Sequence, residues 1–542
     1  MSDWNYADVW EAIAGEIPEQ TAQIHGEQHI SWRSFNERAN GIAHALIAAG
    51  VQQQDKVALY VYNGPEYLEG VFAAFKIGLV PVNTNYRYRE HELRYLWDNA
   101  DATAVVFHGA FTETIEPLRA DLPKIRCWLW VDDGTGPCPA WASSFEEAAA
   151  SNPAPADAPW RRSGEDIVMI YTGGTTGLPK GVMWRQDDQF RAFDTAGLVA
   201  CGDTKRLAQK VASSKRPIGL PACPLMHGTG FLFACTTLNQ GGTVVTLPGT
   251  HFKPEALLDA VVRNKITGMA IVGDAFCRPI VEELDAQPGR WDLSSLGMVA
   301  SAGVMWSAEF KERFLAYAPD VVLADLLGST EAHGMGRSIS GRGAEANTAR
   351  FSLGEHAFVI DEDGNHVEPG SGQIGRIAVR GLVPVGYYKD PEKSAQTFPV
   401  IDGVRCAVPG DYATVESDGT IALLGRGSVC INTGGEKVFP EEVEEALKTH
   451  PQVRDCVVVG VPHERFGQSI AAAVEMNSSP KGLAHAPVES AELIAHAKHL
   501  LASYKAPRHI LVVDSISRAP NGKADYAGIR KRVEESIAAS QN

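Results

Sequence analysis

The chain has 542 residues, a formal net charge of −17 and 44% hydrophobic residues. That length exceeds what one hydrophobic core organises, so two or more domains are expected, and the composition excludes a disordered, collagen-like or disulfide-stapled protein. The acidic balance argues against nucleic acid and anionic membrane surfaces as main partners, so a polyphosphate ligand would have to be met by local backbone donors, cations and metal.

Residues 1–8 carry no basic stretch followed by an apolar one, so no signal peptide is expected. Apolar runs such as 455–461 fall far short of the roughly 18 residues that span a bilayer, so no stable membrane insertion is expected. Apolar spacing over 37–49 predicts a helix with one buried face. Residues 56–61 then read as a buried strand, 67–77 as a helix and 79–82 as a strand, and a third pair runs from 91–93 to 104–107. This alternation predicts parallel sheets in layered α/β packing. The Pro-, Ala- and Ser-rich residues 149–159 read as a surface linker, and 296–300 as a strand. A second change comes at Gly425-Arg426-Gly427. Beyond it lie a helix at 440–449, a strand at 457–459, a helix at 490–501 and a basic tail. The expected division is a large N-terminal domain, 1–425, and a small α+β C-terminal domain, 426–542. Nine cysteines, scattered from Cys127 to Cys456 without a Cys-x-x-Cys pair, read as reduced core thiols of a cytoplasmic protein.

The most informative segment is Thr172-Gly173-Gly174-Thr175-Thr176-Gly177-Leu178-Pro179-Lys180, entered from the apolar run 167–171. Glycines let backbone N–H groups approach phosphate oxygens closely, three threonine hydroxyls add donors, and Lys180 adds a point charge. It is not a Walker A loop, which needs Gly before the lysine and Ser or Thr after it; here Pro179 precedes and Gly181 follows. The bland reading is a flexible Gly/Thr surface loop, against which the density of donors counts.

Thr172 to Lys180 resembles the phosphate loop of the adenylate-forming superfamily, which includes acyl-CoA synthetases, luciferases and peptide-synthetase adenylation domains. The resemblance extends over nearly the whole chain. Leu327-Gly328-Ser329-Thr330-Glu331 is similar to the family's aromatic-Gly-x-Thr-Glu segment, with Leu327 where an aromatic residue is usual. The resemblance gives Glu331, with Thr172, the task of holding Mg²⁺ beside the ATP phosphates, for which a hard carboxylate oxygen is suited. Ala302 and Gly303 match the segment lying against adenine and the acyl group. His227, in Pro224–Gly230, matches a gate beside the carboxylate; a hydrogen-bonded core histidine is the alternative, and both stay open. Phe231, Gly273 and Asp274 are assigned to the acyl pocket wall, where Asp274 is either a cap or the partner of a polar group. Asp411 and Arg426 match the Gly-Asp and Gly-Arg motifs that hold the ribose hydroxyls. Residues 386–392 resemble a recurrent segment given a mainly structural role.

The stretch 425–444 is the second signature: a Gly-Arg-Gly hinge, with Ser428 where an acidic residue or Lys is common, then a loop and a helix opened by Pro440. The resemblance implies that Gly434, Gly435 and Glu436 help guide the thiol of coenzyme A. Asn521-Gly522-Lys523 resembles the motif carrying the catalytic lysine, which bridges substrate carboxylate and α-phosphate. Lys523, Glu331 and Lys180 are thus the expected catalytic set. The implied activity is an ATP-dependent acyl-CoA ligase with ATP, Mg²⁺ and coenzyme A, closest to bacterial ligases for fatty and steroid side-chain acids. A luciferase-like or aryl-acid enzyme and a non-catalytic nucleotide- or acyl-binding relative are the alternatives. A peptide-synthetase domain is disfavoured because no carrier segment follows Lys523. A homodimer stays open.

Overall fold

A computed structural model describes residues 3–172, 179–341, 343–433, 436–463, 466–477, 489–519 and 522–541. By its contacts the chain forms two compact units, one built from residues up to 172, 179–348 and 379–407, the other from 349–378 and 408–541.

The first unit contains two sheets. In one, Thr21–His25, Thr243–Thr246, Ile218–Pro221, Gly268–Ile271, Met298–Ala302 and Val322–Leu327 lie parallel in that order, with antiparallel Gln28–Ser31 and Gly336–Ser340 at the two ends. In the other, Ile167–Thr172, Val80–Asn83, Lys56–Tyr60, Ala102–His108, Cys127–Val131 and Ser143–Ser144 run parallel. Lys180–Arg185 and then Gly386–Tyr387 extend that sheet in antiparallel fashion beyond Ile167–Thr172. The helix–strand alternation therefore does produce parallel sheets, and the antiparallel strands sit at their margins.

The helix expected over 37–49 runs from Trp32 to Ala48. Its start lies earlier because Ser31 Oγ caps it, accepting from Ser34 N–H at 3.1 Å, and because Trp32 and Phe35 are buried. Helix Pro65–Lys76 is buried on nearly every side. Between them Trp10 packs on Phe35, Phe72 and Phe75 with ring centroids 5.2–6.1 Å away, and its indole N–H donates to Asn239 Oδ1 at 2.8 Å. Residues 149–159 lie mostly exposed, as a surface linker does, but the segment is tied down. Phe145–Ser151 is helical, Asn40 Nδ2 donates to Pro153 O at 2.8 Å, and Trp160 donates to Ile77 O at 2.8 Å. The two bonds anchor the segment at Pro153 and just beyond its end at Trp160.

In the second unit, Arg350–Leu353, Thr420–Arg426, Asp411–Val415 and the start of Ile374–Arg380 pair antiparallel in that order. A further sheet follows, with Glu436–Val438, Ile431–Thr433, Gly467–Met476 and Val453–His463 antiparallel and His509–Val513 parallel to Gly467–Met476. The strand read as 457–459 is in fact Val453–His463. Both of its faces are covered: Cys456 and Val458 pack with helices Pro440–Lys448 and Ser490–Leu500, while Val457, Val459 and Val461 pack with helix Tyr526–Gln541. A strand buried on both faces loses the polar alternation that marks its ends. Among the described residues there is no helix long and apolar enough to cross a membrane.

Trp10→Ala should remove the keystone of the first core. Truncation of a fully buried aromatic costs about 3–5 kcal/mol, so the urea midpoint of the first unit should fall with little change in slope. Trp10→Phe, which keeps a ring but strands Asn239 Oδ1, should cost about 1–3 kcal/mol.

Candidate functional site

Open α/β sheets present ligand sites at the carboxyl ends of their parallel strands. Here four such ends lie side by side, since Pro221 pairs with Ala270, Ala270 with Ala300 and Ala300 with Ala324. They deliver, in order, the segment leading to His227, then Gly273, Gly303 and Gly328. Ser301, fully buried, accepts from Gly273 N–H at 2.9 Å. Gly273 has φ +50° and lies against the carbonyl of Met305, so a Cβ there would overlap backbone. Gly303 faces Thr229 Oγ1 and Val272 Cγ1, each 3.9 Å from where its Cβ would be. Gly228 likewise faces Thr330 Oγ1 at 3.7 Å. His227, Gly273, Gly303 and Thr330 are therefore brought together around the first turn of helix Gly228–Asn239, whose N-cap is His227.

Two expected pocket-wall residues have other partners. Asp274 Oδ1 accepts from Ser307 N–H at 3.0 Å, at the start of helix Ala308–Tyr317, so Asp274 acts as a cap. Phe231 is buried and meets Tyr67 edge-on, with centroids 6.5 Å apart. With His227, Met226, Val71 and Asn83 these two rings line a cavity of about 10 Å³. That is room for about one water, so an acyl chain extending in this direction would have to displace side chains.

On the other side lies the strand pair that carries the Gly/Thr loop. Thr172 pairs with Lys180 across Ile167–Thr172 and Lys180–Arg185; residues 173–178 lie outside the described residues, and Pro179 O accepts from Tyr95 at 3.2 Å. Lys180 Nζ donates to Asp390 Oδ2 at 2.5 Å and lies 5.7 Å from the Tyr387 ring. This ammonium, together with the Lys393 N–H, holds the Asp390 carboxyl below the usual carboxylate range. Tyr387 O–H donates to Glu331 Oε1 at 2.8 Å. The segment 386–392, read as structural, thus supplies a partner to each of the two charged candidates.

The loop after Val322–Leu327 is held from several sides. Ser329 N–H donates to Ala332 O at 2.9 Å, and Trp184 Nε1–H to Thr330 O at 2.8 Å. His333 stacks on Trp184 at 4.6 Å and meets Phe193 edge-on at 4.2 Å. Burial lowers the His333 pKa to about 3, so the ring is a neutral packing piece. Ser329 Oγ is buried without a hydrogen-bond partner among the described residues, which suits a hydroxyl awaiting a ligand or water. Among those residues no three of His, Cys, Asp and Glu cluster as a metal site. A divalent cation beside Glu331 would therefore take one or two protein oxygens and complete its shell with phosphate oxygens and water, a donor set that fits Mg²⁺. Trp184 lies in no motif singled out in the sequence, and the recurrent segment holding Tyr387 and Asp390 reads there as structural, without these contacts.

The second unit holds the remaining candidates. Arg426 Nε–H donates to Asp411 Oδ1 at 3.2 Å across the pair Asp411–Val415 and Thr420–Arg426. Asp411 Oδ2 is buried and has no hydrogen-bond partner among the described residues, an acceptor matching a diol. Lys523 is exposed, just before helix Tyr526–Gln541. Its turn is braced: Arg518 donates to Asp455 at 2.6 and 2.9 Å and to Gly522 O at 3.1 Å, and Ala519 N–H donates to Lys523 O at 2.9 Å. Glu436 pairs with Thr433 at a hairpin whose Gly434 and Gly435 lie outside the described residues. At the hinge sequence, Gly425 has φ +128° and faces the Glu441 carboxylate so closely that a Cβ would overlap it. Burial, and then repulsion from Glu444, push the Glu441 carboxyl up to about 8.

The AMP-binding enzyme family matches residues 10–388, and the AMP-binding enzyme C-terminal domain matches residues 442–523. A medium/long-chain-fatty-acid–CoA/3-oxocholest-4-en-26-oate–CoA ligase of Mycolicibacterium smegmatis is 40% identical over 98% of this chain and 97% of its own. A 3-oxocholest-4-en-26-oate–CoA ligase of Rhodococcus rhodochrous is 38% identical over 96% and 94%. Among solved structures, an anthranilate CoA ligase in complex with anthranoyl-AMP superimposes with a TM-score of 0.83 at 23% identity, covering 99% of both chains. ATP-bound MatB from Rhodopseudomonas palustris gives 0.79 at 25% identity over 98% of this chain and 99% of that one.

The raised carboxyl of Glu441 makes a pH prediction. A group whose pKa is higher in the folded state stabilises fully below its unfolded value, near 4.5, and that contribution is lost as pH rises through about 8. The second unit should therefore weaken between roughly pH 5 and 8, and Glu441→Gln should flatten this slope in denaturation series at stepped pH.

Proposed function

This chain belongs to the AMP-binding enzyme family, and from that membership we propose how its residues carry the reaction and which acid it takes. It is an AMP-forming acid–thiol ligase with ATP, Mg²⁺ and coenzyme A as co-reactants. A carboxylate oxygen attacks the α-phosphorus, the bond to pyrophosphate breaks, and acyl-AMP forms. The thiol sulfur of coenzyme A then attacks the acyl carbonyl, losing its proton, and AMP departs.

The observation that carries the residue assignments is the convergence in the first unit. Lys180 and Glu331 are tied to one segment, Tyr387–Asp390, beside the strand ending at Thr172, while His227, Gly303 and Thr330 meet at the first turn of helix Gly228–Asn239. In this reading Lys180 exchanges Asp390 for phosphate oxygens, and Thr172 to Lys180 cradles the triphosphate. Ala302, Gly303 and Leu327 to Thr330 line the nucleotide and acyl ends. Thr172 and Glu331 would offer oxygens to Mg²⁺, whose charge would offset that of the departing pyrophosphate. Asp411, through its unpartnered Oδ2, and Arg426 hold the ribose.

Lys523 supplies the ammonium that lets two anions meet at phosphorus; the Arg518–Asp455 brace fixes its turn. Residues 426–542 act as the moving domain, which withdraws Lys523 after adenylation and brings Gly434, Gly435 and Glu436 to the thiol.

The acid is a medium- or long-chain fatty acid or a steroid side-chain acid, as the names of the mycobacterial and rhodococcal relatives suggest. What supports this beside Gly303 is apolar Val272, with Asp274 Oδ1 accepting from Ser307 N–H. A cytoplasmic location, where ATP and coenzyme A are supplied, belongs to the same reading.

Pyrophosphate release with ATP and Mg²⁺ should be strong for dodecanoate, hexadecanoate or 3-oxocholest-4-en-26-oate and weak for acetate. Silence across the whole panel would sink the reading. Lys523→Ala should slow adenylate formation by about 10²–10³-fold, the scale for one transition-state donor. It should leave thioester formation from supplied acyl-AMP within a few-fold, and equal loss in both steps would remove Lys523 from its role.

A further inference from the structure

We infer that Asn83 is the positioning residue that couples the nucleotide half of the site to the acid half, an inference that rests on the ligase reading. Asn83 ends the strand Val80–Asn83, and its amide makes three hydrogen bonds. Nδ2 donates to Tyr171 O at 2.9 Å and to Met226 O at 2.7 Å; Oδ1 accepts from Tyr171 N–H at 2.7 Å. Both amide protons and the carbonyl are thereby engaged.

The residues clamped are telling. Tyr171 directly precedes Thr172, the start of the phosphate loop, and Met226 directly precedes His227, the acid gate. Both are buried, at 5% and 1% exposure, so their backbones move only with the core around them. One side chain thus fixes the separation of the two segments that must hold a nucleophilic carboxylate and its target phosphorus in contact. A nucleotide that orders Thr172 orders Met226 as well, through a shared amide. In-line attack needs reacting atoms about 3–3.5 Å apart, and a clamp on both backbones supplies that registration before the substrates arrive.

A neighbouring side chain provides an internal comparison. Asn63 Nδ2 donates to Cys223 O at 3.2 Å, and Asn63 Oδ1 accepts from Leu225 N–H at 2.8 Å. It holds the same gate segment by the same chemistry, and the bonds it makes there do not include Tyr171. An ordinary structural asparagine would behave like Asn63; a coupling one would not.

The experiment measures the affinity of the full chain for dodecanoate, by calorimetry, with and without Mg²⁺ and α,β-methylene-ATP, whose bridging carbon blocks pyrophosphate loss. In the unaltered chain the nucleotide should tighten dodecanoate binding about tenfold, within the usual range of coupling between sites. In Asn83→Ala and in Asn83→Ser, which keeps one small donor and guards against misfolding of the first, that factor, read at saturating nucleotide, should fall below about twofold. Asn63→Ala should weaken dodecanoate binding yet keep the coupling. Coupling that survives in the Asn83 variants, or that disappears equally in Asn63→Ala, overturns the inference. Absence of any binding of both probes to the unaltered chain counts against the ligase reading itself and takes the inference with it.

Discussion

The site depends on the level parallel register of four strands, Ile218–Pro221, Gly268–Ile271, Met298–Ala302 and Val322–Leu327. Because side chains alternate faces, a slip of one residue in any of them would turn its core face outward. The register is therefore held by burial, as at Leu220, Met269, Val299 and Leu323. It places four successive strand ends side by side, and the turns that leave them carry His227, Gly273, Gly303 and Glu331. Nothing about these residues' chemistry would bring them together; the hydrogen-bond ladder does.

On that platform, charge is managed locally. The chain carries a net charge of −17 and is expected to bind a triphosphate and a carboxylate. The ammonium of Lys180 is parked on Asp390, and Glu331 accepts from Tyr387, both partners coming from one short segment. An exposed pair of this kind is worth little on its own, about 0–1 kcal/mol. Lys180 can therefore leave Asp390 for a phosphate at small cost. The pairing keeps the side chain extended toward the site without committing it there.

The second unit treats its own candidates differently. Lys523 sits on an exposed position of a turn anchored by the half-buried Arg518–Asp455 pair. At Gly425 the backbone lies against the buried Glu441 carboxyl, a conformation open to glycine and closed to larger residues. A hinge sequence packed on a carboxyl whose pKa burial raises to about 8 makes the stability of this region sensitive to pH below that value.

The periodicity over 37–49, the alternation of strand and helix, and the motifs at Thr172–Lys180, Leu327–Glu331 and Asn521–Lys523 were all legible along the chain, because hydrophobic period and backbone-donor chemistry are local properties. By themselves they determine the layered α/β class, the adenylate-forming resemblance and the charged candidates. What they could not determine was whatever depends on neighbours far away in sequence. Asp274 became a cap because Ser307 lies beside it, Phe231 joined a core wall because Tyr67 faces it, and the surface segment 149–159 is tied down because Asn40 meets Pro153 and Ile77 meets the following Trp160. Tyr387, Asp390, Trp184 and Asn83 acquire their contacts across 56 to 210 residues of chain, at the shortest for Tyr387 with Glu331 and the longest for Asp390 with Lys180. Only tertiary structure decides such pairings, since a hydrogen bond depends on distance in space and direction, and neither is written in the order of residues.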